Sequence, residues 1–213
     1  GLMATGGSTN LLIHLPAMAK AAGIQLTMQD FSEISQVVPL LAKVYPNGLA
    51  DVNHFHAAGG LGFVIGQLLE TGLLHDDVQT IAGTGLARYA HEPQLIEGKL
   101  GWASAPRSSE NDKILRPPSD PFQKTGGLAL MQGNLGAGVM KISAVTPDRH
   151  RIEAPARVFD SQEAVKAAFQ AGEFTQDTVV VVRFQGPRAN GMPELHGLTP
   201  TLSVLQDRGL KVA

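Results

Sequence analysis

The sequence predicts an α/β protein in two parts, mostly helical over residues 1–120 and β-rich over residues 121–213. Three observations predict it. Through most of the first hundred residues apolar side chains recur at three- and four-residue spacing, the period of a helix with one buried face. Pro106, Pro117, Pro118 and Pro121 then fall among Ser, Asp and Arg within 105–123, the composition of a linker or an extended crossing segment. Beyond them, alternating and β-branched runs take over, as strands require.

The elements follow in order. Gly6-Gly7 forms a turn, and a helix is predicted over 8–23, with Ser8, Thr9 or Asn10 as N-cap and Leu12, Ile13, Leu15, Met18 and Ala22 on its apolar face. Gly23 stops it, and Pro16 bends it by removing a backbone donor. Asp30 and Glu33 resemble a capping box opening a second helix through Ile34, Val37, Val38, Leu41 and Val44, ended by Asn47-Gly48. Leu61 to Leu69 makes a third helix after Gly59-Gly60. Residues 76–95 read more weakly, as a helix from Asp77 and a loop around Gly83 and Gly85.

In the second part, Val139 to Val145 alternates at period two and Arg157-Val158-Phe159 is a shorter strand. Asp160 or Ser161 caps a helix carrying Ala164, Val165, Ala168 and Phe169, closed by Gly172. Thr178 to Phe184 suits a buried strand. Gly1 runs straight into an apolar stretch, and Gly209 to Ala213 reads as the first half of a strand, so the chain is expected to be an internal piece of a longer protein.

Composition narrows the function classes. The 213 residues are 43% hydrophobic and 17% charged, the balance of a globular protein with an ordinary core. A formal charge of −2 with no basic run argues against a nucleic-acid surface, and the apolar runs fall far short of a membrane span. A soluble, cytoplasmic protein is expected. With no cysteine, disulfides and thiolate metal sites cannot be built from these residues.

Three constellations could carry chemistry. Gly6-Gly7-Ser8-Thr9-Asn10 at a helix start offers free N–H groups, two hydroxyls and an amide to an anion, although an ordinary capped helix is the simpler reading of these residues alone. Gly133-Asn134-Leu135-Gly136-Ala137-Gly138 lacks the dinucleotide glycine spacing and reads as a tight turn before a strand. Residues 186–196 follow a strand end, where Glu194 could bind a hard cation such as Mg²⁺ through oxygen and Arg183 and Arg188 could meet an anionic substrate. His54 and His56 would share one face of a strand, a zinc-like spacing without a third ligand, so packing histidines are expected there and at His14.

Several of these segments, taken together, resemble one family. Ala4-Thr5-Gly6-Gly7-Ser8-Thr9-Asn10, then Ile13-His14-Leu15 and Ala17-Met18-Ala19, is similar to the glycine-serine-threonine-asparagine motif of the dihydroxy-acid and phosphogluconate dehydratases. Ala58-Gly59-Gly60, Gly126-Gly127-Leu128-Ala129, Gly133-Asn134-Leu135-Gly136 and Gly191-Met192-Pro193-Glu194 follow in the family's order, so the resemblance spans essentially the whole chain. Tyr45 to Phe55, Arg88-Tyr89 with Glu92-Pro93, and Gln185 to His196 resemble the 6-phosphogluconate branch. Pro16 and Leu11-Leu12 depart from the pattern.

The resemblance implies a hydro-lyase of the Entner–Doudoroff pathway that dehydrates 6-phospho-D-gluconate to 2-dehydro-3-deoxy-6-phosphogluconate. A dihydroxy-acid or aldonic-acid dehydratase, or a non-catalytic binding module of the same fold, is the alternative. It further implies an iron–sulfur cluster whose cysteines and catalytic serine lie outside these residues, so no catalytic residue is expected here. Glu194 matches the family's Mg²⁺ ligand, and Gly6, Gly7, Ser8, Thr9 and Asn10 match a motif lining the substrate cavity. Arg183, Arg188 and Lys124 are added as anion contacts on charge alone. The family fold implies that 1–120 ends a cluster-bearing α/β domain and that 121–213 begins a β-barrel-like one. A homodimer is expected.

Overall fold

A computed structural model describes residues 1–186, 191 and 197–213. Contacts divide them into two units, Gly1–Thr146 and Pro147–Ala213. Helices and strands both occur in each, as an α/β class requires. Among the described residues the strands form four two-stranded sheets and none closes on itself, so the barrel-like expectation finds no barrel here.

In the first unit a short helix, α1 (Leu2–Thr5), precedes the Gly6-Gly7 turn, and α2 (Leu11–Ala21) begins later than the predicted start at residue 8. Asn10 occupies the N-cap of α2 in helical backbone conformation and its side chain caps nothing. Pro16 sits inside α2, whose only buried residue is Leu12, so the helix tolerates the missing donor on a largely exposed face. His14, expected to pack, is exposed for the same reason.

The second predicted helix is shifted at both ends. Its capping box is Thr27 with Asp30, not Asp30 with Glu33: the Asp30 N–H donates to Thr27 Oγ1 at 3.3 Å and the Thr27 N–H donates to Asp30 Oδ2 at 2.6 Å. The helix, α3 (Met28–Val37), then stops where the prediction carried it to Val44. Pro39 is the cause. It cannot continue the helical hydrogen bonding, and it biases Val38 to the extended conformation seen there, ψ 116°. Leu40, Leu41 and Ala42 therefore enter the core as extended chain.

Asp30 supplies a pH-dependent part of this cap. Its exposed carboxyl is held below the ordinary range, first by the Thr27 hydroxyl and then by the Thr27 N–H. A carboxyl lowered in the folded state adds stability above its unfolded value and loses it as pH falls through the folded one. Acidification from about pH 5 to about pH 2 is therefore expected to destabilise α3. Thr27→Ala is expected to cost about 1 kcal/mol at neutral pH. It should also remove part of the acid dependence, Asp51 contributing another part with the same sign. Thermal melts of both proteins across that range check this.

After α4 (Val52–Ala57), α5 (Gly60–Glu70) matches its prediction closely and buries Phe63, Val64 and Leu68 at the centre of the core. The predicted helix from Asp77 does not form. A short pair, β1 (Gln79–Thr80) and β2 (Gly83–Thr84), and a 3-10 turn lead into the hairpin β3 (His91–Ile96) and β4 (Lys99–Ser104). Glu97 and Gly98 both have positive φ, 50° and 76°, the two-residue turn whose twist suits a hairpin.

Residues 105–123 cross the unit as a series of turns with two isolated bridges, neither a continuous extended segment nor a solvated linker. Leu115 is fully buried, Ala42 bridges to Leu115 and Leu40 to Gln123. Beyond it, β5 (Leu128–Gly133) and β6 (Gly136–Lys141) pair around Asn134-Leu135, and β5 packs on α3. The buried Ser35 of α3 accepts from the Leu128 N–H through its hydroxyl at 3.0 Å and from the Gly126 N–H through its carbonyl at 2.7 Å. The proline-rich stretch near residue 120 is thus no break in packing, and the unit continues to Thr146.

The second unit is built on a parallel pair, β7 (Ala156–Phe159) and β8 (Val179–Val182), joined through α6 (Gln162–Gln170). Ser161 caps α6 by accepting from the Ala164 N–H at 3.1 Å. Helix α7 (Leu198–Asp207), absent from the prediction, packs on α6, and Thr178 bridges in parallel to Val212. Val165, Ala168, Phe174, Leu205 and Val212 form this unit's core.

Candidate functional site

The Gly6–Asn10 turn lies between α1 and α2. Gly6 ends α1 in the left-handed conformation, φ 59° and ψ 42°, and the Gly7 N–H returns to the Leu2 carbonyl at 3.0 Å. The carbonyls of Ser8, Thr9 and Asn10 accept from Leu11, Leu12 and Ile13 at 3.2, 2.9 and 3.0 Å, forming a turn that feeds α2. Ser8 Oγ accepts from the Asn10 N–H at 3.2 Å. Among the described residues the Ser8 and Thr9 amides have no acceptor. Those are the donors an anion takes at a helix start. Gly6 and Gly7 are half-buried, and Ser8, Thr9 and Asn10 are exposed.

Two side chains from distant parts of the chain hold this turn. Asn47 Nδ2 donates to the Gly6 carbonyl at 3.1 Å, and Lys141 Nζ, at the end of β6, donates to the Gly6 and Gly7 carbonyls at 2.6 and 3.1 Å. Burial pushes the Lys141 ammonium below its ordinary pKa. Asn47 Oδ1 is buried and finds no partner among the described residues. A Cβ at Gly6 would stand 2.1 Å from Asn47 Nδ2, so only glycine permits this approach. Sequence reasoning named neither Asn47 nor Lys141 as a site residue. Asn47 stood in a stretch matched to the family, while Lys141 was one polar residue in an alternating strand.

Of the other predicted site residues, Arg183 lies just past the carboxyl end of β8 in the second unit, exposed and paired with Asp160 Oδ1 at 2.7 Å. Its charge is therefore already matched by a carboxylate. Lys124 is exposed in the first unit. Arg188 and Glu194 lie outside the described residues. His54 and His56 stand on the helix α4, not on a strand, so they point to different sides. His54 Nδ1 lies 2.8 Å from Asp51 Oδ1 in that helix's cap. Among the described residues no three His, Asp or Glu side chains converge on a metal position. A separate cavity of about 400 Å³ is lined by Ala82, Arg88, Tyr89, His91 and Trp102 beside the β3–β4 hairpin. It contains the Arg88-Tyr89 pair but none of the predicted contacts.

Comparison with known proteins adds the lineage. Residues 1–89 match the family model for the dihydroxy-acid/6-phosphogluconate dehydratase N-terminal region, and residues 113–213 match its C-terminal counterpart. The chain is 64% identical over 212 residues to a phosphogluconate dehydratase of Pseudomonas aeruginosa and 55% identical over 212 residues to that of Escherichia coli K12. In both pairs all of this chain is covered, with 35% of the relative. A dihydroxy-acid dehydratase of Caldanaerobacter subterraneus is 38% identical over 211 residues, 98% of this chain and 35% of that protein. The chain thus spans about a third of the length of these relatives.

Proposed function

Since the chain belongs to the dihydroxy-acid/6-phosphogluconate dehydratase family, we propose that it forms part of a hydro-lyase converting 6-phospho-D-gluconate to 2-dehydro-3-deoxy-6-phosphogluconate. One observation carries the choice of substrate: identity to phosphogluconate dehydratases, 64% and 55%, well exceeds the 38% to a dihydroxy-acid dehydratase.

The reaction removes a proton from C2 and the hydroxyl from C3. Hydroxide leaves poorly, and Lewis-acid assistance to its departure is the chemistry an iron–sulfur cluster held elsewhere in the whole protein would supply. These residues do not fit the cluster: the chain has no cysteine, and the described carboxylates and histidines do not converge. Cluster ligation and proton abstraction are accordingly assigned to residues other than these.

The part proposed for this chain is binding. The Ser8 and Thr9 amides, with the hydroxyls of Ser8 and Thr9 and the amide of Asn10, would receive the substrate's carboxylate or phosphate, helped by the positive end of α2. Gly6 and Gly7 supply the backbone shape. Arg183 and Arg188 are proposed as further anion contacts, Arg183 only on release from Asp160. Glu194 is proposed for Mg²⁺, which prefers carboxylate oxygen. In the whole protein the second unit, Pro147–Ala213, rather than all of 121–213, would contribute to a β-barrel-like domain, and the molecule would act as a homodimer in the cytoplasm. No helix among the described residues is long and apolar enough to cross a membrane.

The test is turnover by the complete gene product carrying this chain, purified without oxygen, on 6-phospho-D-gluconate, D-gluconate and a branched dihydroxy acid. The phosphorylated acid is expected to give the highest kcat/KM. Preference for either unphosphorylated acid would sink the proposed substrate.

A further inference from the structure

We infer that Lys141 is a positioning residue for substrate binding, its ammonium fixing the Gly6 and Gly7 carbonyls and thereby aiming the Ser8 amide outward. The inference rests on reading the Gly6–Asn10 turn as a substrate contact. Lys141 Nζ lies 2.6 Å from the Gly6 carbonyl oxygen and 3.1 Å from that of Gly7, across 135 residues of chain.

The consequence follows from peptide planarity. In a trans peptide the carbonyl of one residue and the N–H of the next point in opposite directions. Holding the Gly7 carbonyl on Lys141 therefore directs the Ser8 N–H away from Lys141. Holding the Gly6 carbonyl likewise directs the Gly7 N–H, which lands on the Leu2 carbonyl at 3.0 Å. Gly6 and Gly7 are the residues most free to rotate, so without an external hold this peptide orientation is the first to be lost. Asn47 supports only Gly6, donating at 3.1 Å; Lys141 alone among the described side chains reaches Gly7.

The half-buried ammonium has no carboxylate partner among the described residues. Its charge is instead stabilised by carbonyl dipoles at the negative end of α1. A lysine wanted for packing alone would lose nothing by becoming Met.

The experiment compares Lys141→Met, Lys141→Gln and Lys141→Arg with wild type in the complete gene product. It measures KM and kcat for 6-phospho-D-gluconate, and amide exchange over residues 6–10. Lys141→Met is expected to raise KM by about tenfold or more with a smaller change in kcat, and to speed exchange at Gly7. Lys141→Gln, which keeps one donor, should fall between. Lys141→Arg, which keeps charge and two parallel donors, should restore KM to within about threefold. A lower melting temperature with unchanged KM in Lys141→Met would overturn the inference, as would an Arg variant no better than Met. Failure of the wild-type protein to dehydrate 6-phospho-D-gluconate overturns the proposed substrate instead. In that event unchanged Gly7 exchange in Lys141→Met removes the positioning role, and faster exchange that Arg reverses upholds it.

Discussion

Leu115→Ala is expected to lower the stability of the folded chain by about 3–4 kcal/mol, the range for emptying a fully buried leucine site whose surroundings cannot collapse. Leu115 has no exposed surface and sits in the cluster formed by Phe63, Val64, Leu41 and Ala42. Its backbone is held as well, through the bridge to Ala42 and the Leu115 N–H donated to Asn111 at 3.0 Å. With the backbone pinned at both points, the cavity term adds to the transfer term. Urea denaturation measures the loss, with Leu135→Ala as control, since Leu135 at the β5–β6 turn is 92% exposed. A cost under about 1 kcal/mol for Leu115→Ala would mean that residues 105–123 behave as a surface linker after all.

Gly6→Ala is expected to destabilise by about 2–4 kcal/mol, the sum of left-handed backbone strain and overlap with a neighbour. The two contributions can be separated. Gly72 has a similar φ, 69°, but a Cβ there meets nothing within 4 Å, so Gly72→Ala should cost only the backbone strain, about 1 kcal/mol. The excess at Gly6 reports the displaced Asn47 amide, which would stand 2.1 Å from the new Cβ. Thermal melts of the two variants give the comparison. In the complete gene product Gly6→Ala should also raise KM, because the turn is displaced together with its amides. Equal costs at Gly6 and Gly72 would refute the close approach of Asn47.

Much of the secondary structure was legible locally. Helices α5 and α6 carry their apolar faces at helical spacing, and α6 has a serine cap and a closing glycine, so each was predicted nearly to its ends. The early stop of α3 was also written in the chain, at Pro39, but the apolar spacing of Leu41 and Val44 imitates a continuing helix. Those residues are apolar because they cross the core as extended chain. The β3–β4 hairpin was missed because its turn places the non-glycine Glu97 at φ 50°, a choice no turn propensity favours. Ser8, Thr9 and Asn10 were readable as a helix start, but the cap they offered is a preceding turn rather than a side-chain bond.

The sequence by itself determined the family, the α/β class, the positions of α5, α6, β7 and β8, and the location of the glycine turn. Each is encoded in neighbours a few residues apart or in motifs kept in order. Tertiary structure alone decided that Ile114, Leu115 and Leu128 belong to the core of the first unit and that Lys141 and Asn47 close on Gly6. Those contacts join residues 135 and 41 positions apart, and they depend on how extended segments and a hairpin pack around α3 and α5. A lysine in an alternating strand carries the same local signature whether it faces water or a pair of carbonyls. The approach of the strand's last residue to the Gly6–Gly7 turn makes the difference, and that approach is a property of the packed chain.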